Sequence, residues 1–461
     1  MTALRREPFW RPVRDVPFLV FSVAVVLGLV RSIDQPSVAI SGAGTELSLV
    51  PTDAALAVLA VLVATRLLGS RSLPRPARAI TYAAGAFSAW LLLSSLANGA
   101  EAAVGAAKLL EYGVLALGAL LFVRRRIQFA FLVGLLVAVN TVALAWALGS
   151  FFDLPPLDGR APGGRQSSFL GEHDFAALST MSLALGLAAL YAGRHRLGRL
   201  PLVGGVVGGL GLILSGALAG LLGLYLAAAA IAALALLRGT ATRRALAVTA
   251  ATAVVVTAGV LALRSDELGA FARFLGVSER QADQYENAAS WSHRLVYAYV
   301  GGRVFLENPV LGTGWYGQLP PSEFARFVPD ARARFADQPD NYFPRTDEGF
   351  LPQQTYDQIL FSLGIVGALL FLTLALVTAR AAAVVGRLWP VGDPDEPLAY
   401  LPAAWMCALA GGLAGAALFG GIPLAAIFWL TLGVVALAPS LVPPPQPGAV
   451  AEQPHGLAAL R

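Results

Sequence analysis

LPLVGGVVGGLGLILSGALAGLLGLYLAAAAIAALALL, residues 200–237, carries no charged residue and is bracketed by Arg199 and Arg238. At about 1.5 Å per residue one helix of this length would run roughly 57 Å. The hydrocarbon core of a bilayer is only about 30 Å thick. The stretch therefore reads as two spans joined by the small-residue turn Ser215-Gly216-Ala217. Its two basic ends then return to the same side of a membrane.

The rest of the chain repeats this pattern. Its 461 residues are 57% hydrophobic and 13% charged, with a mean hydropathy of +0.67. Soluble domains carry about 25% charged residues, so this chain lacks the polar surface to face water all round. Apolar runs long enough to span recur near 16–33, 47–68, 79–97, 105–123, 127–150, 175–193, 200–216, 218–237, 245–263, 356–379, 399–419 and 422–440. The fold class is thus an all-α polytopic membrane protein of about twelve transmembrane helices. With the N-terminus inside, the even connections Arg71 to Arg78, Arg124 to Arg126, Arg194 to Arg199, Arg238 to Arg244 and Arg380 to Arg387 are all short and basic, as the positive-inside rule requires. The first apolar run lacks a small-x-small cleavage pattern and reads as a retained helix. The net charge of +5 belongs to loops at the membrane surface and does not point to nucleic acid. Cys407, the single cysteine, excludes an internal disulfide.

Two outward loops break the sequence of short turns, the first over 151–174 and the second, between helices 9 and 10, over 264–355. They divide the chain into spans 1–9 (1–263), an extracytoplasmic, partly helical loop (264–355), spans 10–12 (356–440) and a Pro-rich, disordered cytoplasmic tail (441–461). Ser278 with Gln281 forms a capping box that predicts a helix through Glu307. Phe324, Phe327, Val328, Ala331 and Phe335 recur at helical spacing and predict an amphipathic helix over Ser322 to Phe335. Lys108 and Glu111, three apart within an apolar run, read as an ion pair inside the bundle or the wall of a site. The loops also hold Arg160, Arg165, Glu172, His173, Asp174, His293, Arg294, Arg345, Asp347 and Glu348. Arginine at a membrane boundary suits phosphate, because its planar fork makes paired charge-assisted bonds and does not deprotonate. Arg303, Arg326, Arg332 and Arg334 read instead as solvated.

Three segments carry a resemblance. Arg165-Gln-Ser-Ser-Phe-Leu-Gly171-Glu-His-Asp174-Phe-Ala-Ala is similar to a segment of the O-antigen ligase and polymerase superfamily that runs Arg, Thr/Ser-Gly-Thr-Phe-Gly, Asn-Pro-Asn, apolar-Ala. Arg294, followed by Glu307-Asn-Pro-Val-Leu-Gly312-Thr-Gly314, resembles the family's Arg-x-x-x-Trp and Glu-Asn-Pro-Leu-x-Gly-x-Gly. Pro352-Gln353-Gln354-Thr-Tyr356-Asp-Gln358 with Leu363-Gly364-Ile-Val-Gly367 resembles Pro-His-Asn-x-Tyr-x-Gln followed by Glu-x-Gly-x-x-Gly.

The resemblance implies a membrane-embedded glycosyltransferase of a bacterial inner membrane, without cofactor or metal. It would move a glycan from undecaprenyl pyrophosphate to a glycan or lipid-linked acceptor on the extracytoplasmic side. Arg165 and Arg294 fall on the arginines that hold the donor pyrophosphate, with His293, Gln353, Gln354 and Tyr356 as further substrate contacts. Gln353 stands where the family's ligases have a histidine, Ser362 where it has a glutamate, and Ser215-Gly216 where it has Ser-Arg. Glutamine accepts no proton, so a general base must come from elsewhere. Glu348, Asp347 and His173 are the candidates, and Glu172 and Asp174 could also approach through the fold. The missing histidine leans toward a polymerase over a ligase, both inverting. A lipid-linked-glycan transporter is the alternative of another class, but the inverted repeats such folds favour are not seen; an inactive glycan-binding relative is a third. The topology predicts that Ser322→Cys reacts with an impermeant thiol reagent in intact cells while Thr240→Cys does not; the reverse pattern would invert the orientation.

Overall fold

The structure, a computed structural model, describes residues 14–30, 35–42, 45–69, 78–155, 157, 163–193, 195–265, 289–336, 338 and 340–443. The predicted capping box at Ser278, the C-terminal tail beyond 443 and Arg160 lie outside the described residues. The helices are α1 (Val16–Leu29), α2 (Pro51–Gly69), α3 (Arg78–Ala97), α4 (Ala100–Glu111), α5 (Gly113–Phe122), α6 (Arg126–Phe151), α7 (Glu172–Tyr191), α8 (Leu200–Ser215), α9 (Leu218–Leu237), α10 (Arg243–Leu263), α11 (Ala289–Glu307), α12 (Pro321–Phe324), α13 (Val328–Arg334), α14 (Thr355–Leu388), α15 (Pro397–Gly415) and α16 (Pro423–Leu441). A short antiparallel hairpin pairs Val38–Gly42 with Thr45–Leu49.

Every predicted span coincides with a helix, the fourth in two pieces that part at Tyr112. Among the described residues ten helices are long and apolar enough to cross a membrane, counting α4 and α5 as one, and α1 and α8 are shorter apolar helices. The protein is an all-α polytopic membrane protein. Ser215-Gly216-Ala217 is the turn between α8 and α9. The most enclosed spans are α7, α15 and α16. Around them α7 packs on α8, α9 and α15, α16 on α5, and α14 on α3.

An ionic clamp closes the end where the basic turns lie. Arg126 reaches Asp393 at 3.0 Å and Asp395 at 3.7 Å, Arg196 also meets Asp395, and Arg238 bonds Glu396 at 2.7 Å. Arg238 and Glu396 are almost wholly buried, and Arg238 also donates to the Trp389 carbonyl at 2.8 Å. The acidic loop after α14 thus binds three basic turns together.

The opposite end carries a second, smaller core. Val296, Val300 and Val304 of α11 pack with Phe324, Phe327, Val328 and Ala331 around Phe350. Phe350 stacks on Tyr297 at 4.8 Å between ring centres. The apolar face predicted over 322–335 is this inward face, but the single helix is a correction: a 3-10 turn over Ala325–Phe327 interrupts it. The cause is Pro329, which lacks the N–H that a continuous helix would need and so restarts the helix as its first turn. Arg303, expected to be solvated, pairs with Asp330 at 3.1 Å, and Arg326 pairs with Glu307, so both hold these helices to α11.

This core is fastened to the bundle by backbone. The turn after α11 donates from Thr313 N to Phe361 O (3.0 Å) and from Gly314 N to Ser362 O (2.8 Å), while Ile365 N donates to Pro309 O (2.8 Å). From α3, Ser94 donates to Leu311 O at 2.7 Å and Trp90 to Leu363 O at 2.9 Å. The exchange needs α14 to break at Gly364 (φ 64°, ψ −169°). A Cβ there would strike the Val310 carbonyl, and one at Gly312 (φ 74°) would strike the Ser362 backbone. Two of the three segments compared above are therefore halves of one joint. Gly364→Ala should lower the thermal midpoint of the purified protein by an amount equivalent to more than ~1 kcal/mol. Gly85→Ala, where an added Cβ meets nothing, should not; equal midpoints for the two variants would refute the joint.

Candidate functional site

At the end opposite the ionic clamp, a cavity of about 540 Å³ is lined by Arg165, Glu172, His173, Arg264, His293, Arg294, Gln353 and Gln354, with Leu218, Leu222 and Leu295 on its apolar side. Four separate parts of the chain supply its polar groups.

Arg165 comes from the loop before α7. That loop is pinned where Gln166 N donates to Leu214 O at 2.8 Å, which sets Arg165 against the α8–α9 turn. Gly216 (φ 60°) leaves room there, since a Cβ would crowd the Arg165 side chain. The Arg165 guanidinium is ion-paired with Glu172. Arg264, at the end of α10, donates to the carbonyl of the same Gly216 at 2.9 Å. One glycine thus receives an arginine on each side.

Arg294, on α11, reaches the end of α15. It donates to Gly415 O at 2.9 Å and Ala414 O at 3.5 Å, the unpaired carbonyls that a helix C-terminus leaves for a cation. Its NH2 also lies 3.2 Å from His173 Nε2. A guanidinium only donates, so Nε2 accepts and the imidazole is neutral with its proton on Nδ1. That Nδ1 is buried and meets no partner among the described residues.

Three guanidinium groups thus face one cavity, and Glu172 is the one carboxylate among its described lining residues. Burial, Arg264 and Arg165 push Arg294 below the usual arginine range, and Asp357 acts the other way. Burial and Arg294 hold His293 below the usual histidine range. Like charges so close are costly unless an anion joins them. The arrangement is built to take a multiply charged anion, with an apolar flank beside it.

The structure brings Arg165, Arg294, His173, His293, Gln353 and Gln354 together, and it adds Arg264. The sequence signal for Arg264 was only its place at the mouth of the second loop. Three candidates lie elsewhere. Asp347 and Glu348 sit exposed on either side of Arg345, each 2.8 Å from it, and Arg345 holds Asp347 below the usual carboxylate range. They are not among the residues lining the cavity. Tyr356 turns away, donating to Ala410 O at 2.9 Å. Gln353 donates to Leu351 O at 3.2 Å. Asp174 is buried behind the site.

Lys108 belongs to a different place. Its ammonium is 3.4 Å from both Asp53 and Glu111, at the wall of an apolar cavity of about 820 Å³ between α2, α3, α5 and α16. The pair expected within the bundle is a triad.

Residues 203–372, from α8 into the first half of α14, match the O-antigen ligase family. No curated protein matches the chain. The matched region includes Arg264, His293, Arg294, Gln353 and Gln354, whereas Arg165, Glu172 and His173 precede it. The charge arrangement predicts that inorganic pyrophosphate raises the thermal midpoint of the purified protein. At 100-fold above its dissociation constant a ligand stabilises by about 2.7 kcal/mol. The shift should vanish in Arg294→Gln and weaken in salt; an equal shift in the variant would remove the anion site.

Proposed function

We propose, from the match of residues 203–372 to the O-antigen ligase family, that this chain transfers a glycan from undecaprenyl pyrophosphate to the hydroxyl of an acceptor sugar on the extracytoplasmic side of a bacterial inner membrane. One observation carries the reading. Arg165 and Arg294, far apart in sequence and on two separate segments, line one cavity together with Arg264, and the charges of Arg264 and Arg165 both act on Arg294.

Breaking a glycosyl–pyrophosphate bond puts charge on the leaving phosphate, and donors fixed in advance around that charge lower the barrier most. Three arginines would supply such donors. The apolar flank of Leu218, Leu222 and Leu295 suits the first units of the polyprenyl tail, which must lie in the bilayer while the pyrophosphate stays at its edge. The acceptor hydroxyl attacks the anomeric carbon from the face opposite the pyrophosphate, and direct displacement inverts the configuration.

Gln353 favours polymerisation over ligation. It lines the cavity but has no lone pair basic enough to take a proton, so the ligase arrangement with histidine at this point is absent. Purified protein incubated with lipid-linked glycan extracted from its host should lengthen the glycan and release undecaprenyl pyrophosphate. Arg165→Lys and Arg294→Lys keep the charge but lose the fork. Each should lower turnover roughly ten- to a hundredfold, about 1.5–3 kcal/mol for a bond to a charged group. Arg334→Gln, over the Tyr299 ring on the outer helices, should turn over normally. Full activity in both lysine variants would defeat the assignment.

A further inference from the structure

Resting on the transferase reading, we infer that Glu172 is the general base for the acceptor hydroxyl, and that the donor pyrophosphate itself frees it for that task by replacing it on Arg165.

The cavity leaves few alternatives. Glu172 is the first residue of α7 and the one carboxylate among the described lining residues. Its side chain is 32% exposed, although it pairs with Arg165, so it is open to the cavity. Asp347 and Glu348 are held at Arg345 outside. Asp357 does not line the cavity, and one of its oxygens is buried. His173 has its Nε2 lone pair engaged by Arg294, so it acts as a strut for that guanidinium. His293 lines the cavity edge-on to Tyr297, with 4.0 Å between ring centres. It is the one rival, and burial beside Arg294 weakens its hold on a proton.

The pairing of Glu172 with Arg165 supplies the order of events. This carboxylate occupies a guanidinium that the donor needs. A pyrophosphate carries more charge and more acceptor oxygens than a carboxylate, so it takes over the fork of Arg165. Glu172 is then released beside the anomeric centre with its lone pairs vacant. The acceptor O–H proton passes to a Glu172 oxygen while the hydroxyl oxygen forms the new bond to the anomeric carbon. The old carbon–oxygen bond breaks with its electron pair leaving on the pyrophosphate. The proton is then returned to the departing pyrophosphate, and Glu172 pairs with Arg165 again. Base and donor are thereby coupled: the proton acceptor is available only when there is something to transfer.

Glu172→Gln separates this role from a structural one. In full-length purified protein, turnover of the extracted lipid-linked glycan should fall roughly 10²–10⁴-fold, the usual contribution of a general base. Binding of undecaprenyl pyrophosphate should stay as tight or tighten, because no carboxylate competes for Arg165. Glu172→Asp should recover part of the activity, and His293→Gln should retain more activity than Glu172→Gln. Unchanged turnover in Glu172→Gln, or His293→Gln as the more damaging change, would overturn the inference. So would loss of undecaprenyl pyrophosphate binding in Glu172→Gln, which would make Glu172 a support of Arg165. If wild-type protein binds undecaprenyl pyrophosphate but transfers no glycan, the transferase reading itself falls and takes the base with it.

Discussion

The backbone exchange between the 308–314 turn and the break of α14 at Gly364 is the constraint on which the rest of the site depends. Arg294 sits on a helix outside the main bundle, and a helix tethered by loops alone would leave its guanidinium loose by ångströms. The turn that ends α11 is instead bonded through main-chain groups to α14; from α3, Ser94 braces the turn and Trp90 braces α14 at Leu363. Main-chain bonds have no rotamers to relax, so the position of α11 follows from that of the spans. The small aromatic core around Phe350 then fixes its rotation.

Arginine is used in two opposed ways at the two ends of the molecule. At the basic turns Arg126, Arg196 and Arg238 are matched by Asp393, Asp395 and Glu396, and the result is a closed clamp. The buried pair Arg238–Glu396 contributes little net stability but is damaging to break from one side, so it ties the turn after α9 to the loop after α14. Among the described residues lining the cavity, three arginines stand with one carboxylate. Carbonyls share part of the charge: Gly216 accepts from Arg264, and Ala414 with Gly415 from Arg294. A neutral acceptor holds a guanidinium in place without itself cancelling its charge.

The spans were legible in the sequence because the bilayer imposes a length and a polarity on each of them: the twelve apolar runs coincide with ten helices long enough to cross a membrane among the described residues and with the two shorter apolar helices α1 and α8. Arg165 and Arg294, which line one cavity, could be picked out because each stands in a segment with a recognisable residue order. The failures share a cause. Asp347 and Glu348 were chosen for nearness in sequence to Gln353, but Arg345 lies between them in space and captures both. Arg264 was passed over because no local pattern surrounds it, and only the turn at Gly216 shows what it does. Tyr356 is two positions beyond Gln354, the last residue of its segment that lines the cavity: with α14 begun at Thr355, each further residue turns about 100° around the helix, and Tyr356 points at α15.

Arg294 shows why a site of this kind is prepared before its substrate arrives. Two carbonyls at the end of α15 and the Nε2 of His173 already engage its NH1 and NH2 groups. Such contacts lower the freedom of a long side chain, which otherwise loses up to about 2 kcal/mol of rotamer entropy on being held. They also draw the cation to the negative end of a helix, where it remains stable in a half-buried place. Gly415 is part of the same arrangement, since a side chain there would displace His173 and with it one of the supports. The chain thus settles the cost of ordering Arg294 during folding. A phosphate that reaches the cavity meets a charge already in position, and its binding energy is left for the geometry of transfer.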